Sequence, residues 1–241
     1  MLEKIQNLVQ ILKEIRNLPK VDISLKFENV KNTDPFYEKI TKDFYDYATA
    51  RHRKFLLIKN FEIGVALFDL SNPKGYRQSI ESSARRNCKK AIRNGFTFDK
   101  LAYNLHLDEI WEIRRSTPVR QGEMPEDFLN TRPTPVTNPS PQTNTHDYVY
   151  FGVFDERKKL VAYAGCMVAG EILMVQHIYG HNDYLSFGVV PYLLVSIAET
   201  CQDHYPEVRY FNYGTFYGAQ ATMKRFKKKF QFLPHRVNLT L

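Results

Sequence analysis

The residues of this chain best suited to chemistry crowd toward its C-terminal end. The last 34 residues hold seven Lys or Arg and no carboxylate side chain, and five of the seven fall in Lys224-Arg225-Phe226-Lys227-Lys228-Lys229-Phe230. Just before them runs Tyr213-Gly214-Thr215-Phe216-Tyr217-Gly218. A cationic helix entered through a Gly- and Tyr-rich turn suits an anionic ligand, because helix-start amides and ammonium groups both favour negative charge. A second basic stretch spans Lys74 to Arg93, where seven basic residues face only Glu81. Together the stretches carry +13 in a chain of net +8, leaving the remainder at −5. Charge localised in this way points to a phosphate-bearing substrate or carrier. Two solvated helix faces are the plainer alternative.

The elements that must position these groups follow from periodicity. Phe55–Ile58 and Ile63–Phe68 are rich in β-formers and are expected to pair across Lys59–Glu62. Asn72-Pro73 opens a helix with Ile80, Ala84, Cys88, Ala91 and Ile92 on one face and Arg85, Arg86, Lys89, Lys90 and Arg93 on the other, stopped by Gly95. A strand, Phe96–Tyr103, and a helix, Asp108–Arg115, come next. Thr117–Pro141 then holds six of the twelve prolines and a single glycine, Gly122. A stiff loop of that length is either a functional lid or a surface connection, which places Arg120-Gln121-Gly122-Glu123-Met124 provisionally near a substrate.

Three β-runs, Tyr148–Phe154, Leu160–Val168 and Glu171–Tyr179, are joined by short connections and read as an antiparallel meander. A helix from about Pro191 to His204, a strand at Val208–Tyr213, the basic helix from about Tyr217 to Lys229 and a strand from Phe230 to Leu239 complete the order. Residues 1–50 are read as an N-terminal helical segment, and 51–241 as the main domain with a Pro-rich loop at 117–146.

Composition narrows the class. With 43% hydrophobic and 14% aromatic residues the chain can bury a core. Cys88, Cys166 and Cys201 are too scattered for a disulfide framework or a zinc site, so reduced buried thiols and no metal are expected. Leu2, Ile5, Leu8, Val9, Leu12 and Ile15 share a helical face, but Glu3, Lys4, Lys13, Glu14 and Arg16 interrupt any signal-peptide run. No later stretch has the length of a membrane span, and a cytoplasmic location is expected. The amphipathic leader is expected to pack on its own domain, with a membrane surface as the alternative.

From about Phe96 onward the order strand, helical region, three antiparallel strands, helix, strand, helix, strand resembles the GNAT superfamily of acyltransferases. Over roughly residues 50–241 the chain is similar to the Fem-type peptidyltransferase branch at two places. Arg86-Asn87 through Lys90 to Gly95 resembles that branch's Arg-Asn-x-x-Lys-x-x-x-x-Gly run. Tyr210-Phe211-Asn212-Tyr213-Gly214 through Phe226-Lys227-Lys228-Lys229-Phe230 resembles its strand-ending Gly and later Phe-Lys-x-x-Phe-Gly, with Gln231 in place of the final Gly. The resemblance implies an α+β fold: a GNAT-like (acyl-CoA N-acyltransferase) mixed, mostly antiparallel sheet flanked by helices.

It also implies a donor and a division of labour. GNAT enzymes cradle the CoA pyrophosphate at a helix start, and aligning Leu193-Leu194 places the amides of Gly188, Val189 and Val190 there, although Val190 crowds the approach. The Fem-type branch implies aminoacyl-tRNA instead, so the donor is acyl-CoA or aminoacyl-tRNA, with Arg85, Arg86 and Lys89 gripping its phosphates. Acyl transfer to an amine needs a deprotonated nucleophile, donors for the developing oxyanion and a path for the proton. Lys227, at the Phe-Lys position, is the first candidate to neutralise phosphate or acyl charge. Tyr217 is a candidate acid and His177 a candidate base. Tyr213, Arg120 and Gln121 are candidate substrate contacts.

The expected function is an N-acyltransferase moving an acyl or aminoacyl group from its carrier to an amine of a small molecule or a cell-surface precursor, a sugar or a peptide. A catalytically silent nucleic-acid or polyanion-binding module is the opposing expectation. The transferase expectation has the two basic helices converge on one cleft to grip a polyanionic carrier, and helices on opposite sides of the molecule with no groove beside the middle strands would remove its footing.

Overall fold

The structure, a computed structural model, describes residues 10–53, 55–120 and 122–241. Its strands are β1 (Lys20–Ser24), β2 (Arg51–His52), β3 (Phe55–Lys59), β4 (Val65–Asp69), β5 (Thr97–Lys100), β6 (His146–Phe154), β7 (Leu160–Ala169), β8 (Ile172–Gly180), β9 (Tyr210–Thr215) and β10 (Leu233–Thr240). Its helices are α1 (Pro35–Thr49), α2 (Gly75–Ser79), α3 (Ser82–Arg93), α4 (Leu107–Arg115), α5 (Glu126–Asn130), α6 (Val189–His204) and α7 (Ala221–Lys229). Residues 10–16 are also helical.

β7 carries no charged side chain and is buried along its whole length, as a strand covered on both faces must be. It lies inside a sheet that, among the described residues, has eight strands in the order β1-β10-β4-β9-β8-β7-β6-β5. The pairs β1–β10 and β8–β9 are parallel and the others antiparallel. Alternate side chains of β7 feed two cores. Ala162, Ala164, Cys166 and Val168 share one with Ala84, Cys88 and Ala91 of α3 and Leu193, Leu194, Ile197 and Ala198 of α6. Met167 and Ala169 join another with Leu67, Ile172 and, from α1, Ile40 and Phe44. Tyr163 packs with Ile110 and Ile113 of α4. Helices thus flank a mixed, mostly antiparallel sheet, and each fully buried Leu or Ile contributes ~1.5–3 kcal/mol of transfer free energy.

The expected meander is present as β6–β8, with β6 starting two residues earlier, β7 ending one later and β8 shifted by one to Ile172–Gly180. Asp155 closes its first turn by accepting the Arg157 and Lys159 amides, each at 2.9 Å, and Gly170 turns the second with φ 57°. Gly95 stops α3 at φ 74°, as expected.

Several boundaries differ. β3 does not pair with β4: it forms a separate two-stranded ribbon with β2, while β4 lies between β10 and β9. The redirecting element is a 3-10 turn at Asn60–Glu62, where Glu62 accepts the Lys59 amide at 3.1 Å and Phe61 is buried. The helix expected from Asn72 is two helices, broken where Ile80 and Glu81 are extended (ψ 158° and 151°) and the Glu81 amide donates to the Lys229 carbonyl at 3.0 Å. The basic helix starts at Ala221 rather than Tyr217, and the last strand at Leu233 rather than Phe230. Residues 1–50 are not helical throughout, because Lys20–Ser24 is a strand paired with β10. Met1 to Val9 of the leader lie outside the described residues. No helix among the described residues is long and apolar enough to cross a membrane.

Candidate active site

A cleft opens where β8 and β9 part. The two strands pair only from Ile172 to Met174 against Tyr210 to Asn212. Two irregularities drive them apart. In β8, Gln176 is an extra residue between the pairs Gly165–His177 and Cys166–Val175. In β9, one extra residue lies between the pairs Leu67–Asn212 and Val65–Thr215. Asn212 fixes that bulge: its side chain accepts the Gly214 amide and donates to the Gly214 and Ala66 carbonyls, each at 3.2 Å. Gly214 has φ 64°, a conformation glycine adopts without cost.

The cleft, about 750 Å³, is lined by β8 from Val175 to Gly180, by Tyr213 and Gly214, by Met223, Phe226 and Lys227 of α7, and by the loop around Arg120. Lys227 is only 5% exposed. Its Nζ donates to the Thr215 carbonyl at 2.5 Å and lies 5.4 Å from the Tyr213 ring centre, with no carboxylate partner among the described residues. Burial brings its pKa down to about 8. The end of α7 holds it in place: the Phe232 amide donates to the Lys227 carbonyl at 2.9 Å across Gln231, whose φ is 59°. That is the left-handed helix stop that glycine usually fills.

Arg120 forms the opposite side. Its guanidinium donates to the carbonyls of Gly180 (3.0 Å) and Ile113 (2.5 Å) and lies 5.3 Å from the Tyr179 ring centre, while its buried Nε has no partner among the described residues. The loop carrying it is a tight turn in which Arg120 donates its amide to Gly122 and Met124 to Pro118, at 3.0 and 2.9 Å. Glu123 is the one carboxylate among the described lining residues. Gln121 lies outside the described residues.

His177 enters from β8 into a cage of Tyr150, Tyr163 and Tyr179, with ring centres 5.6–6.0 Å away. The glycine at 165 makes the room, since a β-carbon there would come within 2.4 Å of the imidazole. Burial, and secondarily Arg114, push its pKa down to about 4, so the ring is neutral near pH 7, and its buried Nε2 has no partner among the described residues.

Of the residues singled out from sequence, Lys227, Tyr213, His177, Arg120, Gly122, Glu123, Met124 and Val190 line this cleft. The following are elsewhere. The Tyr217 ring packs against Gly64, where a β-carbon would meet it at 2.3 Å, and its hydroxyl is paired with Glu14. Arg85 caps α2, donating to the carbonyls of Gln78 (2.9 Å) and Ile80 (2.5 Å). Arg86 and Lys89 line a separate hollow of about 430 Å³ with Ile92 and Arg93. Gly188 (φ 82°) is pressed against α3, so that a β-carbon would meet the Asn87 carbonyl oxygen at 2.4 Å, and its amide donates to Leu185 at 3.1 Å. Val189 is fully buried. The two basic helices therefore meet end to end at Glu81 and Lys229, but α7 alone lines the cleft.

Reading the sequence missed Asn212 as the bulge clamp and Tyr179 and Arg114 as the setting of His177. An Asn two residues before a Gly was the available signal for the first.

Chemically, the arrangement offers a buried ammonium, a guanidinium, a neutral imidazole and one carboxylate around an apolar slot, a set able to stabilise developing negative charge while accepting a proton at the rim.

No protein-family model matches the chain, and no curated protein does. Solved structures do. FemX superposes with a TM-score of 0.53 at 11% identity, covering 71% of this chain and 59% of its own. The C-terminal domain of a lysylphosphatidylglycerol synthetase candidate from Agrobacterium fabrum gives 0.47 at 19% identity (71% and 57%), and L-PGS from Bacillus licheniformis 0.46 at 14% (73% and 61%). This chain spans about three-fifths of the length of each of these. The match to FemX, together with a sheet that splits between β8 and β9, shows that the chain has a FemX-like fold, a mixed, mostly antiparallel sheet flanked by helices.

Proposed function

We propose that this protein is an N-acyltransferase that moves an aminoacyl group from a tRNA carrier to an amine acceptor held in the cleft between β8 and β9. The observation that carries this reading is Lys227: a buried ammonium without a carboxylate, in the wall where the strands part. With a pKa near 8 it is mostly charged at pH 7 and still able to release its proton, which suits both an oxyanion and a departing alkoxide. Glu123 at the rim is the group best placed to accept a proton from the incoming amine. Neutral His177 supports the slot as a hydrogen-bonding group rather than as a strong base.

The choice of aminoacyl-tRNA over acyl-CoA is supported by the start of α6. A pyrophosphate needs open amides there, whereas Gly188 is closed against α3 and its amide is already engaged. The Fem-type resemblance implies the same donor. Arg86, Lys89 and Arg93 on α3 and Arg225 and Lys228 on α7 are exposed or half-buried cations on helices that abut, which suits a phosphate backbone.

The test is a transfer assay with labelled aminoacyl-tRNAs and a panel of amines, including cell-envelope precursors, run beside acetyl-CoA. Transfer of label from tRNA, lost in Lys227→Met, is the expected result. Transfer from acetyl-CoA alone overturns the donor assignment. Salt-dependent tRNA binding without turnover, weakened only by about one phosphate contact in Lys227→Met, favours the silent binding module.

A further inference from the structure

The ribbon β2–β3 belongs to neither core. Among the described residues it pairs only with itself, at Arg51–Lys59 and His52–Phe55, and stands outside the eight-stranded sheet. Leu56 and Leu57 on it are 65% and 94% exposed, and Tyr47, whose carbonyl is held by the Asn60 side chain at the ribbon's base, is 60% exposed. An isolated two-stranded ribbon is marginal in water, and exposed aliphatic side chains on unpaired edges favour aggregation. Such a feature is explained by something that covers it.

Its charges identify what. The sequence reads Arg51-His52-Arg53-Lys54, then Phe55-Leu56-Leu57-Ile58, then Lys59. Arg51 and Lys59 stand directly opposite each other, a like-charge pair that disfavours the ribbon in isolation. Neither they nor Arg53 form an ion pair among the described residues. Of the neighbouring acids, Glu62 is engaged by Arg236 (3.5 Å) and Asp43 by Lys39 (2.5 Å), leaving Asp46 in the last turn of α1.

We propose that the β2–β3 ribbon is an anchor for the surface of an anionic lipid bilayer, with Leu57, on the same strand face as Lys59 and its partner Arg51, entering the acyl boundary and Arg51, Arg53 and Lys59 contacting lipid phosphates. Aliphatic side chains among unpaired cations match that interface, where burial of apolar groups and attraction to anionic headgroups add. A nucleic acid accounts for the cations but leaves Leu57 in water. The ribbon also joins the sheet at the end where the cleft opens: Glu62 leads into β4, whose Val65 pairs with Thr215, the residue that holds Lys227. On the transferase reading, that connection would bring a docked bilayer toward the end of the sheet where the cleft opens.

The test is sedimentation of the full chain with phosphatidylcholine vesicles, with and without about one-third phosphatidylglycerol. Binding to the anionic vesicles is expected to fall roughly tenfold in Leu57→Glu and roughly fivefold in Arg53→Gln, with circular dichroism and melting unchanged. In Leu57→Trp, brominated acyl chains should quench a fluorescence that they do not quench in the wild type, whose one Trp is Trp111. Failure of the wild type to sediment, or equal binding by wild type and Leu57→Glu, overturns the proposal. Reduced tRNA retention by Leu57→Glu with vesicle binding intact also overturns it and assigns the ribbon to nucleic acid. No arm reads turnover, so the anchor and the transferase reading fail or survive independently.

Discussion

Lys227 Nζ is bound to the carbonyl of Thr215, the residue that resumes pairing with β4 immediately after the β9 bulge. A main-chain dipole, not an acid, holds the ammonium, so its full charge remains available to a ligand in the cleft.

Replacing Lys227 with Met keeps most of the side-chain volume and removes the charge. Transfer is expected to fall by about 10²–10³, the scale of losing one oxyanion-stabilising donor. Thermal stability should hold or rise, because a buried charge without an ionic partner is costly. Steady-state rates and melting curves check both, and a rate within threefold of wild type contradicts the role.

The same residue sets an alkaline response. The unfolded chain keeps the lysine proton to its ordinary 10.5, whereas the folded chain releases it near 8. Between those values the unfolded state binds more protons, so this group makes stability rise with pH, by up to ~3 kcal/mol. Activity that depends on the ammonium falls above about 8. Urea midpoints and rates across that window, compared with Lys227→Met, isolate the effect, and the variant should lack both slopes.

His177 sets the acid response. Its folded pKa near 4 lies below the unfolded value of 6.5, so the unfolded chain takes up the proton first as pH falls. Stability supplied above 6.5 is lost through the window from 6.5 to 4, on the order of 3 kcal/mol when fully expressed. In His177→Gln that part of the acid loss should vanish from denaturation midpoints measured across the window.

Gln231 occupies a left-handed position that closes α7 (φ 59°). Gln231→Gly relieves a strain of ~1–2 kcal/mol and adds unfolded-state entropy worth ~0.5–1, for a net gain of roughly 0.5–1 kcal/mol. A melting temperature a few degrees higher, with unchanged tRNA affinity, is the expected result, and a lower one contradicts the cap assignment.

How far the sequence was legible follows from the length over which each signal extends. The β6–β8 meander and α6 declare themselves because long apolar runs and short turns are local patterns. β1 escaped because Lys-Val-Asp-Ile-Ser is short, half polar and paired with a strand more than 200 residues away. Counting charges found the basic helices but could not separate Arg85, consumed by the carbonyls at the end of α2, from Arg86 beside it. Tyr217 looked like a member of the site because it stands just before the basic helix in the sequence, while the chain turns there and packs its ring on Gly64. Lys227 was legible as a residue but not as a buried one: three consecutive lysines read alike until the helix phase and the β9 bulge choose which points inward.

The three-residue pairing of β8 with β9 has one more outcome. Past Met174, the edge of β8 that faces β9 has no neighbouring strand among the described residues, so on the proposed reading a guest bearing an amide or ester would meet main-chain groups there. Such a guest is measured by the skeleton of the protein itself, and swapping side chains around the opening will retune which guest is preferred without erasing that underlying template.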